Sequence, residues 1–415
     1  MSLRLSLRDY ARRRTRIASF ALGNSVDPFG EDSPWFVPVD RMRAEVEGRN
    51  QRFVNFGHYD YMGLGDHEAV RAAARQALDE VGVGALGSRL TGGERSVHHV
   101  LETELADFAG TEAAIATVSG YLTSYTLIPH LCGADDLIVM DELIHSCGSA
   151  GARASRATTK TFRHNDLDHL EDILKQNRER HGLCVILVEG LYSMDGDIPN
   201  LPALLRLRDR YGAWLVIDEA HSFGPLGGTG RGLCEHWGVE PGEVDIILGT
   251  LSKTFVSMGG FICAARPVID WLRYTLPGFV FSVGLSPVIA ATALSALRVL
   301  RREPWRAGTL RERTRTFLDL AGEAGLDIGD AGGFGIVPVL FEGPATAFQA
   351  ARRLADAGIY APPIPPTGAS TGTSRIRFFI SAATDPADIA RTVEFLASAP
   401  AEDSPHGAIS AGTGS

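Results

Sequence analysis

The stretch that decides the fold is Asp245-Ile246-Ile247-Leu248-Gly249-Thr250-Leu251-Ser252-Lys253-Thr254-Phe255, which is followed shortly by Gly259-Gly260. Its apolar first half is typical of a buried strand that ends at Gly249. Small and hydroxylated residues come next, and then a single lysine. The pattern therefore predicts a buried strand with Lys253 in the loop that follows it.

Lysine is rare in this chain. Lys160, Lys175 and Lys253 are its three lysines, so 37 of the 40 basic side chains are arginine. An arginine guanidinium stays protonated, whereas a lysine amine can lose its proton and attack a carbonyl group. Lys253 is therefore the candidate nucleophile. The alternatives are a surface lysine after a strand, and a phosphate-binding loop, which would need glycine where Ser252 stands.

The composition is that of a globular protein with an acidic balance. The chain has 415 residues, of which 45% are hydrophobic and 22% charged, which is enough for one large and one smaller domain. Its formal charge of -10 argues against nucleic acid as the main partner. Five widely spaced cysteines without a CxxC pair indicate neither a disulfide framework nor a metal site, and they favour a reducing cytoplasm. No apolar run is long enough for a membrane span.

Strand-like and helical patterns alternate through the middle of the chain. The strand-like runs are 114–118, 137–140, 184–188, 214–217, 246–248 and 261–264. Amphipathic helices separate several of them, as at 167–179 and 201–211. Near-continuous apolar strands separated by helices predict an α/β fold whose mostly parallel sheet is covered on both faces.

The pattern changes at both ends of this region. Residues 1–53 form a predicted N-terminal arm that begins with an arginine-rich amphipathic helix, for which a transit peptide is the alternative. From about residue 287, long helices and a second group of strands predict a smaller α+β domain. We therefore divide the rest of the chain into a large domain (54–290), a small domain (291–398) and a disordered tail (399–415).

Polar residues follow five of the predicted strands. Ligands of such sheets bind beyond the carboxyl ends of the strands, so these residues are expected to meet in one crevice. An N-cap role for Asp218 and a surface position for His221 are the ordinary alternatives for each residue alone. The residues after the strands are Ser119-Gly120-Tyr121, Asp141 to His145, Glu189, Asp218 to His221, and Thr250 to Lys253.

This set of side chains matches what pyridoxal 5'-phosphate (PLP) needs from a protein. A lysine must hold the cofactor's aldehyde as a Schiff base, and a carboxylate must keep its ring nitrogen protonated. Lys253 and Asp218, which lies 35 residues earlier at a strand end, suit these roles. The phosphate needs backbone N–H groups and hydroxyls, which the helix start at 119–121 and the loop at 250–252 can supply.

Four segments, in order, resemble the signature segments of the α-oxoamine synthases, a family of fold-type I PLP enzymes that includes 8-amino-7-oxononanoate synthase and serine palmitoyltransferase. The segments are YDYMGL (59–64), EGLYSMDGD (189–197), VIDEAHSFG (216–224) and LGTLSK (248–253). The resemblance implies a large domain with a mostly parallel seven-stranded sheet, a smaller C-terminal α+β domain, and a homodimer with shared active sites. Residues 277–287 most resemble family members that act beside polyketide and fatty-acyl assembly lines.

Carried over by position, the resemblance assigns roles to single residues. Lys253 would hold the cofactor, Asp218 would pair with its ring nitrogen, and His221 and Ser193 would lie beside its phenolic oxygen. His145 would stack over the ring, and Ser282 would reach the phosphate in the neighbouring subunit. The remaining residues expected to bind the cofactor are Ser119, Gly120, Tyr121, Glu189, Thr250 and Ser252.

The resemblance also assigns residues to the substrate. Arg377 would hold the amino-acid carboxylate, since its planar fork matches two oxygens. Arg375 is a rival because residues two apart on a strand share a face. Tyr59 would face the substrate. Thr384 stands where the family usually has histidine, so the local substrate environment departs from the family pattern.

The reaction that the resemblance implies is a decarboxylative Claisen-type condensation. It would join glycine, alanine or serine to an acyl thioester and give an α-aminoketone. Another fold-type I reaction, such as aldol cleavage or transamination, and a non-catalytic partner subunit are the alternatives. An acyl carrier protein or a long-chain CoA is the expected acyl donor, partly because aromatic residues follow Lys253, although these could instead fill the core. They are Phe255, Phe261, Trp271, Tyr274, Phe279 and Phe281.

Overall fold

The computed structural model of the protein describes residues 6–21, 53–364 and 374–398. Its helices are α1 (Leu7–Ala21), α2 (Glu68–Glu80), α3 (Ser96–Ala109), α4 (Gly120–Leu131), α5 (Ser146–Ala154), α6 (Leu167–Asn177), α7 (Leu201–Tyr211), α8 (Leu233–Trp237), α9 (Arg266–Thr275), α10 (Pro277–Val280), α11 (Pro287–Arg302), α12 (Trp305–Glu323), α13 (Pro344–Asp356) and α14 (Pro386–Ala397). Its strands are β1 (Val54–Asn55), β2 (Ala113–Thr117), β3 (Leu137–Asp141), β4 (Thr158–Phe162), β5 (Cys184–Glu189), β6 (Trp214–Asp218), β7 (Ile246–Thr250), β8 (Gly260–Ala264), β9 (Ile336–Phe341), β10 (Ile359–Tyr360), β11 (Pro363–Ile364) and β12 (Ser374–Phe379).

The main sheet contains seven strands within the described residues, in the order β2-β8-β7-β6-β5-β3-β4. Strand β8 runs antiparallel to both of its neighbours, and all other pairs are parallel. Alternate residues face opposite sides, so Ile186 and Val188 pack into one apolar cluster and Val185 and Leu187 into another. The predicted α/β class, with a mostly parallel seven-stranded sheet, is confirmed.

The apolar runs did not indicate one strand of this sheet. Strand β4 has the sequence Thr-Thr-Lys-Thr-Phe and, among the described residues, pairs only with β3, so it lies at the edge of this sheet. Its residues up to Thr161 are at least partly exposed, and only Phe162 is buried. An edge strand needs no continuous apolar run, which is why periodicity did not reveal it.

A smaller antiparallel sheet, β11-β12-β9, follows the long helices α11 and α12. The short strand β1 pairs with β10, so residues 54–55, placed at the start of the large domain by the sequence, bond to the C-terminal part. Phe56 packs edge-on against Phe317 and Phe378, which joins the same regions. The domain division at residue 290 remains a prediction.

The predicted N-terminal helix corresponds to α1, and the rest of the predicted arm lies mostly outside the described residues, as does the predicted tail at 399–415. Along the ranges that the structure describes, the helices all lack the length and apolar character needed to cross a bilayer.

Candidate active site

A cavity of about 330 Å³ opens at the carboxyl ends of β5, β6 and β7. Tyr59, Ser193, Ser282 and Arg377 are absent from its lining. The five strand ends nevertheless meet at one cavity. The roles that the sequence assigned to Tyr59, Ser193, Ser282 and Arg377 remain predictions. The predicted residues that line it together are Ser119, Gly120, Tyr121, His145, Glu189, Asp218, His221, Thr250, Ser252 and Lys253.

Lys253 is delivered to the cavity by a loop that closes on itself. Within it the N–H of Val256 donates to the carbonyl of Lys253 at 2.9 Å, and the N–H of Ser257 donates to the carbonyl of Leu251 at 2.9 Å. Burial lowers the pKa of the Lys253 amine, and the negative charge of Asp218 opposes that shift. A lowered pKa favours the neutral, nucleophilic amine. The other two lysines are solvent-exposed and lie outside the cavity.

Two carboxyl groups lie side by side opposite this amine. Glu189 ends β5 and is in register with Asp218, which ends β6. Burial, followed by the charge of Asp218, raises the pKa of Glu189 to about 8, so Glu189 is mostly protonated at neutral pH. One carboxyl oxygen of Glu189 is 3.3 Å from the N–H of Ser193, and the other is buried without a partner among the described residues. Asp218 accepts the N–H of Ala220 at 3.0 Å.

His145 and a cysteine that the sequence did not single out border the same carboxylate. The Nδ1 of His145 is 2.9 Å from Cys147 Sγ, and this thiol donates to Asp218 Oδ2 at 3.9 Å. Loss of water around the ring lowers the pKa of His145, against the opposing charge of Asp218. Burial and the charge of Asp218 raise the pKa of Cys147 to about 12, so it is a thiol and not a thiolate. Only the fold brings this cysteine to the site, since no motif marks it.

Tyr61 is a second residue that the sequence analysis missed. Its hydroxyl is 2.6 Å from His221 Nδ1, and both side chains are buried. Burial lowers the pKa of His221 well below its ordinary value, which keeps this imidazole neutral. Tyr59 packs edge-on against His221, and its ring centroid is 5.6 Å from Lys253 Nζ. Tyr61 stands in the quoted segment 59–64, but only its contact with His221 reveals its relevance.

The opposite side of the cavity offers N–H groups and hydroxyls. Ser119 is the N-cap of α4, with its Oγ 3.3 Å from the N–H of Leu122. Thr250 Oγ1 lies 2.7 Å from Ser252 Oγ. A Cβ on Gly120 would come within 2.7 Å of Thr250 Oγ1, so glycine keeps the helix start close to this loop. Such a helix start is suited to an anion such as a phosphate.

Two arginines of β12 reach the loop that follows β5. Arg375 pairs with Asp195 and donates to the carbonyl of Met194 at 3.0 Å. Arg377 donates to the carbonyl of Ser193 at 2.6 Å. The Nε of each arginine is buried without an acceptor in the described ranges, but Arg377, unlike Arg375, has no carboxylate partner there. The two rivals for the substrate carboxylate therefore differ: one is neutralised by the protein and the other is not.

Ser282 lies away from the cavity, in the segment after α10. Its neighbour Val283 forms a bridge to Ser88 of the glycine-rich loop at 82–93. Leu86, Phe281 and Val283 are 90%, 85% and 57% exposed, so this region carries an apolar surface. The structure therefore does not bring Ser282 into its own chain's site.

Thr384, the departure from the family pattern, is part of a turn. Its Oγ1 accepts the N–H of Ser381 at 3.0 Å, and its own N–H donates to the carbonyl of Ser381 at 3.0 Å. Its carbonyl accepts from Arg313. The side chain at this position is therefore engaged in local backbone structure.

The aromatic residues after Lys253 fall into two groups. Phe255, Phe261 and Phe279 are buried core residues, which is the alternative that the sequence left open for them. The exposed group consists of Trp271, Tyr274 and Phe281. Only the exposed group can contact a partner or an acyl chain from the surface.

Comparisons with known proteins cover nearly the whole chain. Residues 51–396 match the family described as aminotransferase class I and II. The chain is 41% identical over 347 residues to an 8-amino-7-oxononanoate synthase from Methylobacterium sp. (strain 4-46), which covers 84% of this chain and 86% of that protein. It is 35% identical over 367 residues to a serine palmitoyltransferase from Bacteroides ovatus, with 88% and 92% covered.

Solved structures with the same fold are also found. A serine palmitoyltransferase from S. paucimobilis with a bound PLP–myriocin aldimine gives a TM-score of 0.87 at 28% identity, covering 95% of this chain and 98% of that one. The serine palmitoyltransferase of Sphingomonas wittichii gives a TM-score of 0.86 at 29% identity, with 94% and 97% covered.

Proposed function

Because this chain belongs to the aminotransferase class I and II family and, within it, to the α-oxoamine synthases, it is a PLP-dependent acyltransferase, and we propose roles for its residues in the condensation. The reaction is the decarboxylative condensation of a small α-amino acid with an acyl thioester. The observation that supports it best is the cavity itself. It combines the lysine amine of Lys253 with the carboxylate of Asp218, and the unpaired guanidinium of Arg377 lies nearby.

The residues of the cavity fit the cofactor. Lys253 would hold it through the amine, and Asp218 would pair with its ring nitrogen. The start of α4, with Thr250 and Ser252, would hold its phosphate. The buried, unpartnered oxygen of Glu189 is a further sign that a polar group belongs here. When bound, PLP withdraws electrons from the α-carbon of the amino acid so that a carbanion can form there.

Proton transfer is assigned to groups whose pKa values suit it. The Lys253 amine, once released from the cofactor, is the base for the α-proton, because burial lowers its pKa and favours the neutral form. His145 and Lys253 are the candidates that return a proton to carbon after CO₂ has left. The neutral imidazole of His221, held by Tyr61, would support the cofactor without carrying charge.

We assign the substrate carboxylate to Arg377 and not to Arg375. Arg375 is already paired with Asp195 inside the protein, whereas the charge of Arg377 has no carboxylate partner among the described residues. A guanidinium fork binds two carboxylate oxygens at once, which orients the amino acid. The group that Arg377 holds is the one that leaves as CO₂.

The acyl donor is proposed to be a long-chain CoA or an acyl carrier protein. Trp271 and Tyr274 are exposed aromatic side chains in the segment after Lys253 and support this donor class, whereas the exposed Phe281 belongs to the surface that we assign to the dimer. Phe255, Phe261 and Phe279 are core residues and cannot contact the donor at the surface. Fewer aromatic residues therefore support a long-chain or carrier-bound donor than the sequence alone suggested. The test compares kcat/KM for acetyl-, succinyl-, octanoyl- and palmitoyl-CoA with matched carrier thioesters. A clear preference for acetyl- or succinyl-CoA would contradict this donor class while leaving the condensation intact.

The function itself is tested by mass spectrometry of products. Glycine, L-alanine and L-serine are each combined with acyl thioesters, and the expected product is an α-aminoketone that has lost CO₂ and free thiol. Products without CO₂ loss or without the acyl group would indicate an aldolase or an aminotransferase. A cofactor-loaded protein that is inert with every combination would indicate a non-catalytic subunit.

We further propose that the protein is a homodimer with active sites shared between the subunits, and that it works in the reducing cytoplasm. Ser282 lies outside its own chain's cavity, beside the exposed apolar residues Leu86, Phe281 and Val283, and the five cysteines are free and buried. Mixing two inactive variants, Lys253→Ala and Ser282→Trp, should restore partial activity because one composite site in a heterodimer is intact. Demonstrated subunit exchange without recovery would contradict shared sites.

A further inference from the structure

A half-buried polar cluster lies at the ends of β3 and β4, and the mechanism above does not use it. We call it the His164 cluster; it consists of His164, Asn165, Asp141 and Asp197. The imidazole of His164 bridges two carboxylates, with Nδ1 2.9 Å from Asp141 Oδ1 and Nε2 2.8 Å from Asp197 Oδ2. Burial would lower the pKa of His164, but hydrogen bonds to Asp141 and Asp197 outweigh it and raise the pKa to about 10. A charged imidazolium therefore links the ends of β3 and β4 to the loop after β5.

Asn165 makes the same connection a second time. Its N–H donates to Asp141 Oδ2 at 2.9 Å, and its side-chain Nδ2 donates to Asp197 Oδ2 at 2.6 Å. Its φ of 52° lies in the left-handed region, which asparagine tolerates better than most residues do. His164 and Asn165, in the loop after β4, thus both bind the carboxylate of Asp197 in the loop after β5.

That carboxylate ends a tight turn formed by residues 192–197. The N–H of Tyr192 donates to the carbonyl of Asp197 at 2.9 Å, and the N–H of Gly196 donates back to the carbonyl of Tyr192 at 2.9 Å. The ring of Tyr192 packs edge-on against His164 with centroids 4.5 Å apart. The His164 cluster therefore contacts both ends of the 192–197 turn.

The middle of the 192–197 turn receives the two arginines of β12. The carbonyl of Ser193 accepts from Arg377 at 2.6 Å, and the carbonyl of Met194 accepts from Arg375 at 3.0 Å. On the other side, a Cβ on Gly196 would come within 2.6 Å of the carbonyl of Ile336, so the turn is packed closely against β9. The position of the Arg377 guanidinium therefore depends on the position of this turn.

We propose that His164 and Asn165 are positioning residues for the amino-acid carboxylate, acting through the 192–197 turn and the carbonyl of Ser193 on Arg377. This inference rests on the proposed function, in which Arg377 holds that carboxylate. Neither residue lines the cavity. Their effect is to fix the direction of the guanidinium, so that its free N–H groups face the site.

Two variants loosen the turn by different routes. His164→Gln removes the charged bridge. Asn165→Gly removes the side-chain amide while glycine accommodates the positive φ, so its backbone is not strained. Arg163→Ala is the matched control, since Arg163 is an exposed neighbour that pairs only with Asp166 in the described part of the chain.

The measurement uses pairs of ligands that differ only in the carboxylate. The cofactor-loaded protein is titrated with glycine, L-alanine and L-serine and with methylamine, ethylamine and ethanolamine, while the cofactor absorbance is followed. In both variants we expect the preference for each amino acid over its matched amine to fall about tenfold, the scale of one charge-assisted contact. Affinity for the amines and the cofactor should not change, nor should any value for Arg163→Ala.

A purely structural cluster would give a different result. It would lower the affinities for amino acids and for amines equally, or lower the affinity for the cofactor. Either outcome overturns the proposal. An unchanged preference for amino acids over amines in Asn165→Gly also overturns it. If His164→Gln does not fold, Asn165→Gly decides the matter. A wild-type protein that responds to none of the three amino acids contradicts the proposed function itself, and the positioning role with it.

Discussion

Exchanging the two arginines of β12 for glutamine, one at a time, should separate stability from catalysis. Arg375 and Arg377 lie two residues apart on one strand and reach the same turn. The side chain of Arg375 is 4% exposed and paired with Asp195, which is 21% exposed. Arg377 has a carbonyl acceptor but no carboxylate among the described residues. Arg375→Gln should therefore weaken the fold, and Arg377→Gln should weaken substrate binding.

The size of the first effect follows from burial. Removing one partner of a fully buried ion pair costs about 3–5 kcal/mol, because the other charge is left uncompensated. Since Asp195 is about one-fifth exposed, water screens part of that charge, and we expect Arg375→Gln to lower the free energy of unfolding by about 2 kcal/mol. Urea unfolding of the cofactor-loaded protein measures this loss. Because Arg375 also anchors the 192–197 turn, kcat/KM for the amino acid per folded molecule should fall about tenfold at most, which is less than the loss expected for Arg377→Gln.

The size of the second effect follows from the missing partner. Truncating one side of a buried, hydrogen-bonded charge pair costs about 2–5 kcal/mol in binding, which corresponds to roughly 30-fold to several thousand-fold in kcat/KM for the amino acid. The free energy of unfolding should not fall in Arg377→Gln, since burial already disfavours this charge and lowers its pKa. The KM for the acyl thioester should stay within a few-fold.

The reverse pattern would refute the reasoning. If Arg377→Gln retains amino-acid affinity while Arg375→Gln loses it at unchanged stability, then the carboxylate belongs to Arg375 and the ion pair with Asp195 opens when substrate binds. Equal losses of kcat/KM in both variants would mean that the two guanidinium groups act as one site.

Three further outcomes are expected. Borohydride should bleach the cofactor absorbance of the yellow protein and fix the cofactor on Lys253; peptide mapping that finds it on Lys160 or Lys175 would contradict the central assignment. Asp218→Asn should keep part of the bound cofactor but lose most activity, because a neutral amide does not hold a ring nitrogen protonated; full activity in a steady-state assay would mean that the acid is misassigned. Burial raises the pKa of Glu219 to about 7, above its ordinary value. Between about pH 4.5 and pH 7 the folded protein therefore retains a proton that the unfolded chain has lost, and the contribution of this group to stability falls as the pH rises. Glu219→Gln should remove that loss, so the free energy of unfolding of the variant, relative to that of the wild type, should rise by about 2–4 kcal/mol from pH 5 to pH 8. Urea unfolding at the two pH values measures this change. A difference between variant and wild type that is the same at both pH values would contradict the raised pKa of Glu219.

Much of the fold could be predicted because its central strands are buried on both faces. Strands such as β5 and β7 therefore appear as apolar runs, and the polar residues after them mark the ligand end of the sheet. Strand β4 has water on one side and is polar, so the same signal does not exist for it. The pairing of β1 with β10 joins segments some 300 residues apart, which no local pattern reports.

The site was predictable to the extent that strand ends determine it. Asp218 ends β6 and Lys253 lies in the loop that follows β7, and they line one cavity. Cys147 reaches the site through contacts with His145 and Asp218, and Tyr61 through its contact with His221; these contacts depend on how helices and loops pack. Arg375 and Arg377 are the same residue type on the same face of the same strand. Only their hydrogen-bond and ion-pair partners distinguish them.

The charges around the cavity determine the surroundings of Arg377, which lies near the cavity without lining it. Asp218 is close enough to Lys253 to oppose the lowering of its pKa, and Glu189 is mostly neutral because its pKa is about 8. The positive charge of Arg377 consequently has no counter-charge from the described residues of the chain. A buried charge without a partner is unfavourable, and an apolar or neutral residue would give a more stable free protein. The arrangement becomes favourable only when an anion enters, and in the proposed function that anion is the carboxylate of the amino acid.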